Sequence, residues 1–342
     1  WTRRCRARST HRLICRRFPI NTLSRYWMMV IPLFLSGSPT LQAYPIDGYE
    51  DTGIRRIEGV RMVEDGTIPG KKQPPGATLT TAQVDLRLLD RPDMNLPEPD
   101  PAFTRQVLNL LGDHASQYGI AVLDLSEPEK PRYAEYRGDY RQNVGSVGKL
   151  VAALGFFQAL ADTWPDDTGK RRDILKNTVV TADEFSHRDH HKIKIFDVEN
   201  KKLTRRTMKD GDQGSLWEYL DWTLSVSSNS AASMLMRDAM LLRHYGKDYP
   251  VSNTEAERFF RETPGKELTA LFQETFFDPI TRNGLDIGKL RQGSFLTREG
   301  KNKVKGGGNS YGTARELMMF LLRMEQGLHV DQISSRKIKR LM

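Results

Sequence analysis

Apolar side chains recur at Phe103, Val107, Leu108, Leu110 and Leu111. That spacing puts them on one face and predicts a helix from about 101 to 118. The next stretch, 119–126 (GIAVLDLS), alternates and is rich in β-branched residues, so it reads as a strand. A turn at 127–130 joins it to a second strand, 131–138 (PRYAEYRG), as a hairpin. After Asn143–Gly145 comes an apolar helix over 146–161 (SVGKLVAALGFFQALA).

From there the pattern is mainly helical, with helices expected over 216–224, 230–242, 256–261, 266–272, 313–326 and 333–342. Thr313 with Glu316 three residues later spells a capping box, and Gly327 a C-terminal stop. Long loops are expected at 185–213 and 283–311, and loops of that length in a compact domain usually serve function or move.

The chain divides into three parts. Residues 1–43 read as an export signal: Arg16, Arg17 and Arg25 are followed by Trp27–Leu35 (WMMVIPLFL) and a small-residue run ending at Ala43, a plausible cleavage point. Nine apolar residues are too few to span a bilayer, which takes about 20. Residues 44–100, rich in Pro, Gly and charge (IPGKKQPPGATLT, LDRPDMNLPEPDP), read as an extended arm or linker with little regular structure. Residues 101–342 hold the organised domain.

Charge changes the picture less than it first suggests. The net charge is +9, but residues 1–43 carry eight Arg and no acid, so the remainder carries +9 − 8 = +1. The basic excess belongs to the leader and gives no footprint for nucleic acid. Both cysteines, Cys5 and Cys15, also lie in the leader, which excludes disulfides and Cys-based metal sites from the rest.

The chemistry concentrates at Ser146-Val147-Gly148-Lys149. A serine three residues before a lysine on a helix shares its face. A serine hydroxyl is a poor nucleophile until a base takes its proton, and an amine can do so once its pKa is lowered. Taken alone, Ser-x-x-Lys is common, and an N-cap serine is the plain alternative. A second group, Ser227-Ser228-Asn229 followed by Ser230-Ala231-Ala232, stands 81 residues on. Its plain alternative is a polar helix start.

Helix, hairpin, then Ser-x-x-Lys opening an apolar helix is the entry to the serine β-lactamase and penicillin-binding-protein fold. The chain resembles class A β-lactamases over Pro101–Met342, on the order of its elements and these motifs. The fold implied is α/β (α+β): an antiparallel sheet backed by helices, with an all-helical lobe inserted after the second strand and a cleft between the lobes. The resemblance implies Ser146 as nucleophile, Lys149 as general base, Ser227 as proton relay and Asn229 as the group that holds Lys149 and the substrate's side-chain amide. Ser228 stands where the family's usual pattern has Asp. The interval to Ser146 exceeds the family's, and an insertion around 185–206 absorbs it.

Two family features are not found. No Lys-Thr-Gly strand follows the helix at 313–327; Lys305-Gly306-Gly307 precedes that helix and reads as a loop. The sequence is therefore expected to stop short of that strand and its neighbours. Nor does a deacylating Glu appear in 285–299 (LDIGKLRQGSFLTRE): Gln292 or Gly293 falls near the place, and Glu299 is the nearest acid.

The expected activity is acyl transfer on β-lactams or D-Ala-D-Ala-like amides, with no metal or organic cofactor. The rivals are a penicillin-binding peptidase that deacylates slowly and a catalytically silent relative. The expected partners are a β-lactam or a peptidoglycan stem peptide and no nucleic acid, in a monomer that is periplasmic or secreted and brought near a membrane by its leader. His187, His190 and His191 (SHRDHHK) are read as a solvated loop, and Lys170, Arg171 and Arg172 as a solvated charged face.

Overall fold

The computed structural model describes residues 44–74 and 76–342; the leader, with Cys5, Cys15 and Ala43, lies outside the described residues. The chain begins with α1 (Tyr49–Thr52) and α2 (Arg55–Glu64), then reaches α3 (Pro101–Leu111) and the hairpin of β1 (Ile120–Asp124) and β2 (Arg132–Tyr136). A 3-10 turn, Gly145–Gly148, leads into α4 (Lys149–Thr163), followed by α5 (Thr168–Asn177). Next come β3 (Val179–Thr181), a second hairpin of β4 (Lys192–Asp197) and β5 (Lys202–Thr207), and β6 (Gln213–Ser215). The helices α6 (Leu216–Leu224), α7 (Asn229–Tyr245), α8 (Asn253–Glu262), α9 (Gly265–Phe276) and α10 (Asp278–Arg282) complete the helical part. Last come β7 (Leu290–Arg291), α11 (Arg298–Lys303), β8 (Tyr311–Gly312), α12 (Ala314–Glu325) and α13 (Gln332–Leu341).

The architecture is mixed helix and small antiparallel sheet. β1 pairs with β2, β3 with β6, β4 with β5 and β7 with β8, all antiparallel. In the first hairpin Val122 stands opposite Ala134, as the alternating pattern required.

α4 is the central post. Val151, Ala152, Leu154, Phe156, Phe157 and Leu160 are all buried, which is what a helix apolar on every side demands. Burying one such large side chain is worth about 2–3 kcal/mol. Gly155 lets α4 approach α9 closely, because a Cβ there would run into the backbone of Thr275. Against α4 lie α6, α7 and α9, with Trp217, Met234, Leu235, Met236 and Phe272 in the shared core.

Four readings of the sequence are corrected. The segment 44–100 is not an arm: Tyr44, Ile54 and Ile57 are buried, and Tyr44 packs edge-on against Trp217. α2 docks through charge as well. Arg55 grips Glu218 at 2.8 Å, and Arg56 forms a fully buried pair with Asp221 at 2.6 Å. The rest of the segment is tied to the far helices, since the Leu88 N–H donates to the carbonyl of Glu325 and the Gln326 amide to those of Arg91 and Met94. Second, the expected loop at 185–213 contains the β4–β5 hairpin, and the Trp222 indole N–H donates to the Lys194 carbonyl.

Third, Arg171 is not solvated; it is buried and donates to Asp331. Fourth, Thr313 caps α12 by accepting from the Glu316 N–H, but the reciprocal half of the box is missing, because the Glu316 carboxylate accepts instead from the N–H of Asp286. Gly327 does take the left-handed conformation, at φ 75°.

Candidate active site

Ser146 sits on the 3-10 turn before α4 rather than in the α-helix itself. The turn is set by Asn143, whose side chain accepts from the Gly145 N–H at 2.9 Å, and by Gly145 at φ 51° with open space around it. Ser146 is exposed to the cleft while Lys149, one turn on, is 1 % exposed. A 3-10 turn eclipses residues three apart. Serine and lysine are thus brought together, with the Lys149 amine 3.0 Å from the Ser146 hydroxyl oxygen.

The second motif arrives from the α6–α7 connection. Ser228 is the N-cap of α7 and accepts from the Ala231 N–H at 3.1 Å, so the plain reading of a polar helix start holds for this residue. Its neighbours turn the other way. Ser227, at φ 56°, puts its hydroxyl 3.2 Å from the Lys149 amine, and Asn229 puts its side-chain oxygen 2.8 Å from it. The four site residues singled out in the sequence therefore come together, with Ser146, Ser227 and Asn229 converging on the amine of Lys149.

Burial pushes that amine down to about 8, against an upward pull from the Asp189 carboxylate. Roughly a tenth of it is therefore neutral at pH 7, which is what a base needs. Asp189 was read as part of a solvated run, but its carboxylate is only 1 % exposed. It accepts from the Ser228 hydroxyl and the Ser230 N–H, and from the backbone and ring of His191. Burial pushes the Asp189 carboxyl up, yet the Ser230 and His191 donors outweigh it and hold the group below the usual carboxylate value. Asp189, His190 and His191 each bring one ligand atom within 4.8 Å of the others. With four donors already on Asp189, the group does not read as a metal site. His187 lies apart, on Asp210.

The opposite wall is the 292–310 excursion, closed at its base by the β7–β8 pair and by the Gly307 N–H to the Gly293 carbonyl. Phe295 anchors it in the core against Phe185 and Phe272. With the start of α4 it encloses a cleft of about 370 Å³ lined by Ser146, Asn229, Gln292, Ser294, Lys301 and Asn309 among others. Gln292 is 2 % exposed and lies so close to Gly148 that a Cβ there would collide with its amide. Its Oε1 has no hydrogen-bond partner, while its Nε2 donates to the Ser294 carbonyl.

No carboxylate lines the cleft among the described residues. Glu299, the acid nearest in sequence, is on α11, where Asn302 donates to it. Lys305 lies in the turn after α11, exposed, as a loop residue.

The model of the beta-lactamase enzyme family matches residues 102–342, well over half of the chain. No curated protein and no solved structure matches. A serine-hydrolase-like domain with its serine, lysine and second serine gathered at the foot of α4 fits that match, and the chain belongs to the beta-lactamase enzyme family.

Proposed function

We propose that the protein is an exported serine acyl-transferring enzyme of the class A β-lactamase-like type that takes β-lactam or D-Ala-D-Ala-like amides onto Ser146. The observation that supports this most is the Lys149 amine, buried and held at once by Ser146, Ser227 and Asn229. In the reaction the Ser146 oxygen attacks the amide carbonyl as neutral Lys149 takes its proton. The new O–C bond leaves an acyl-enzyme when the C–N bond breaks. The proton passes through the Ser227 hydroxyl to the departing nitrogen. The backbone N–H of Ser146 would be one donor to the oxyanion. Asn229 holds the amine and offers its amide to the substrate.

One observation favours slow release. The cleft presents the neutral Gln292 amide where a water-activating carboxylate would be useful. A penicillin-binding peptidase that acylates readily and deacylates slowly is therefore the second reading. Export rests on the basic and apolar leader sequence, and periplasmic or secreted placement follows from it.

Full-length protein incubated with a fluorescent penicillin should become covalently labelled at Ser146. No label on folded protein would sink both enzyme readings and leave a silent member of the family. Turnover of a chromogenic cephalosporin separates the two: rapid hydrolysis supports the β-lactamase, and label persisting for hours supports the peptidase.

A further inference from the structure

We infer that Asp189 is a positioning residue of this site: its buried carboxylate fastens the Ser227–Ser228–Asn229 turn and thereby sets the Ser227 hydroxyl and the Asn229 side-chain oxygen on the Lys149 amine. The inference rests on the acyl-transfer reading of the site.

One oxygen of the carboxylate accepts from the Ser228 hydroxyl at 3.0 Å and from the Ser230 N–H at 2.9 Å, so it grips the chain on both sides of Asn229. The other accepts from the His191 N–H at 3.1 Å and its ring at 2.6 Å, which fixes the carboxylate from behind. The turn needs such a grip. Ser227 holds a left-handed φ of 56°, a conformation that costs a non-glycine residue energy and persists only where the surroundings impose it. The Ser228 hydroxyl serves twice, accepting from Ala231 as the cap of α7 and donating to Asp189. A carboxylate at the start of the 17-residue α7 also suits that end of the helix dipole.

The residue is supplied from outside the motif. Ser228 stands where an acid belongs in the pattern the chain resembles, and Asp189, 39 residues earlier, brings the missing carboxylate against it. The titratable groups grouped around Asp189 are Lys149 from α4 and His190 and His191 from its own segment. The segment between Glu184–Ser186 and β4 is therefore part of the site rather than a surface insertion.

The test compares Asp189→Asn, Ser228→Ala and the relocation Asp189→Ser with Ser228→Asp. Two readouts are taken on the full chain: the rate of labelling by fluorescent penicillin across pH, and the titration of Lys149 by NMR on carbon-13-labelled lysine. Asp189→Asn should slow labelling about 10- to 100-fold at its pH plateau, the scale of a small misplacement of reacting groups. It should also move the Lys149 titration to lower pH, since an anion beside the ammonium is gone. The relocated pair should recover both. If Asp189→Asn does not fold, Ser228→Ala, which keeps the carboxylate and removes its link to the turn, should slow labelling with the Lys149 titration in place. Unchanged labelling in either folded variant overturns the inference. A wild type that takes no label fails the acyl-transfer reading on its own, whereas a labelled wild type with an unslowed, folded Asp189→Asn overturns the positioning role separately.

Discussion

The Lys149 amine and the Ser146 hydroxyl face each other at 3.0 Å across one 3-10 turn, the amine buried and the hydroxyl open to the cleft. The pair divides the work: one group is accessible to substrate, the other kept poorly solvated so that it can give up its proton. Lys149→Ala should therefore slow penicillin labelling by about 10²–10⁴-fold, the usual worth of a positioned base. Ser146→Ala should abolish labelling while leaving thermal stability unchanged, because the Ser146 side chain is exposed. Labelling that survives in Ser146→Ala would place the nucleophile elsewhere.

The pH dependence follows from the same amine. Its pKa is depressed to about 8, and in the proposed reaction the neutral form is the base. Labelling should rise with pH through about 8 and level off above it, and a rate flat from pH 6 to 10 would remove Lys149 from that role.

Gln292→Glu places a carboxylate in the cleft wall beside Gly148. If release limits turnover, the variant should shorten the lifetime of the penicillin label by tenfold or more, read by its loss over time after excess reagent is removed. An unchanged lifetime would mean that the 292 side chain does not reach the attacking water.

His329 is wholly buried, and burial holds its ring down at about 3, though its Nε2–H donates to the Phe320 carbonyl at 2.8 Å. The unfolded ring takes a proton near pH 6.5 and the folded one does not, so stability is lost as pH falls below 6.5 and the loss continues to about 3. From pH 7 to pH 5 this single group should cost about 2 kcal/mol. His329→Gln should remove that share of the slope in urea titrations at the two pH values.

The helix order, the first hairpin and the Ser146–Lys149 pair were legible because each rests on local signals, whereas Ser227 and Asn229 were reached through the family resemblance. Apolar period and hairpin alternation need only neighbours, and Ser146 and Lys149 are a turn apart. Asp189 was not legible. In SHRDHHK it is surrounded by charge, and only its distant partners Ser228 and Ser230 reveal that it is buried. α2 escaped for a related reason. RRIEGVRMVE is half charged, and what makes it part of the domain is Ile57, the buried Ile54 before it, a glycine against Phe196 and two ion pairs to α6. Gln292 was noticed only as the absence of a glutamate; its contact with Gly148 is tertiary.

The buried pair of Arg56 and Asp221 ties these two elements as partners in a single solution. Removing Arg56 takes the guanidinium away from the buried Asp221 carboxylate, at about 3–5 kcal/mol, whereas an apolar pair of similar size is often tolerated. Arg56→Met should be strongly destabilising by thermal denaturation, and Asp221→Leu added to it should restore most of the loss.

That pair also constrains descent. The buried Asp221 carboxylate accepts from Arg56 through both oxygens, so losing Arg56 penalises keeping the acid, and the two positions should be inherited together. A relative that shortened the stretch before Pro101 would be expected to carry an uncharged residue in place of Asp221, and a lineage that regained the acid would have to regain the helix with it. The ancestry of the N-terminal stretch would then be written in α6, in a position that never touches the reacting groups.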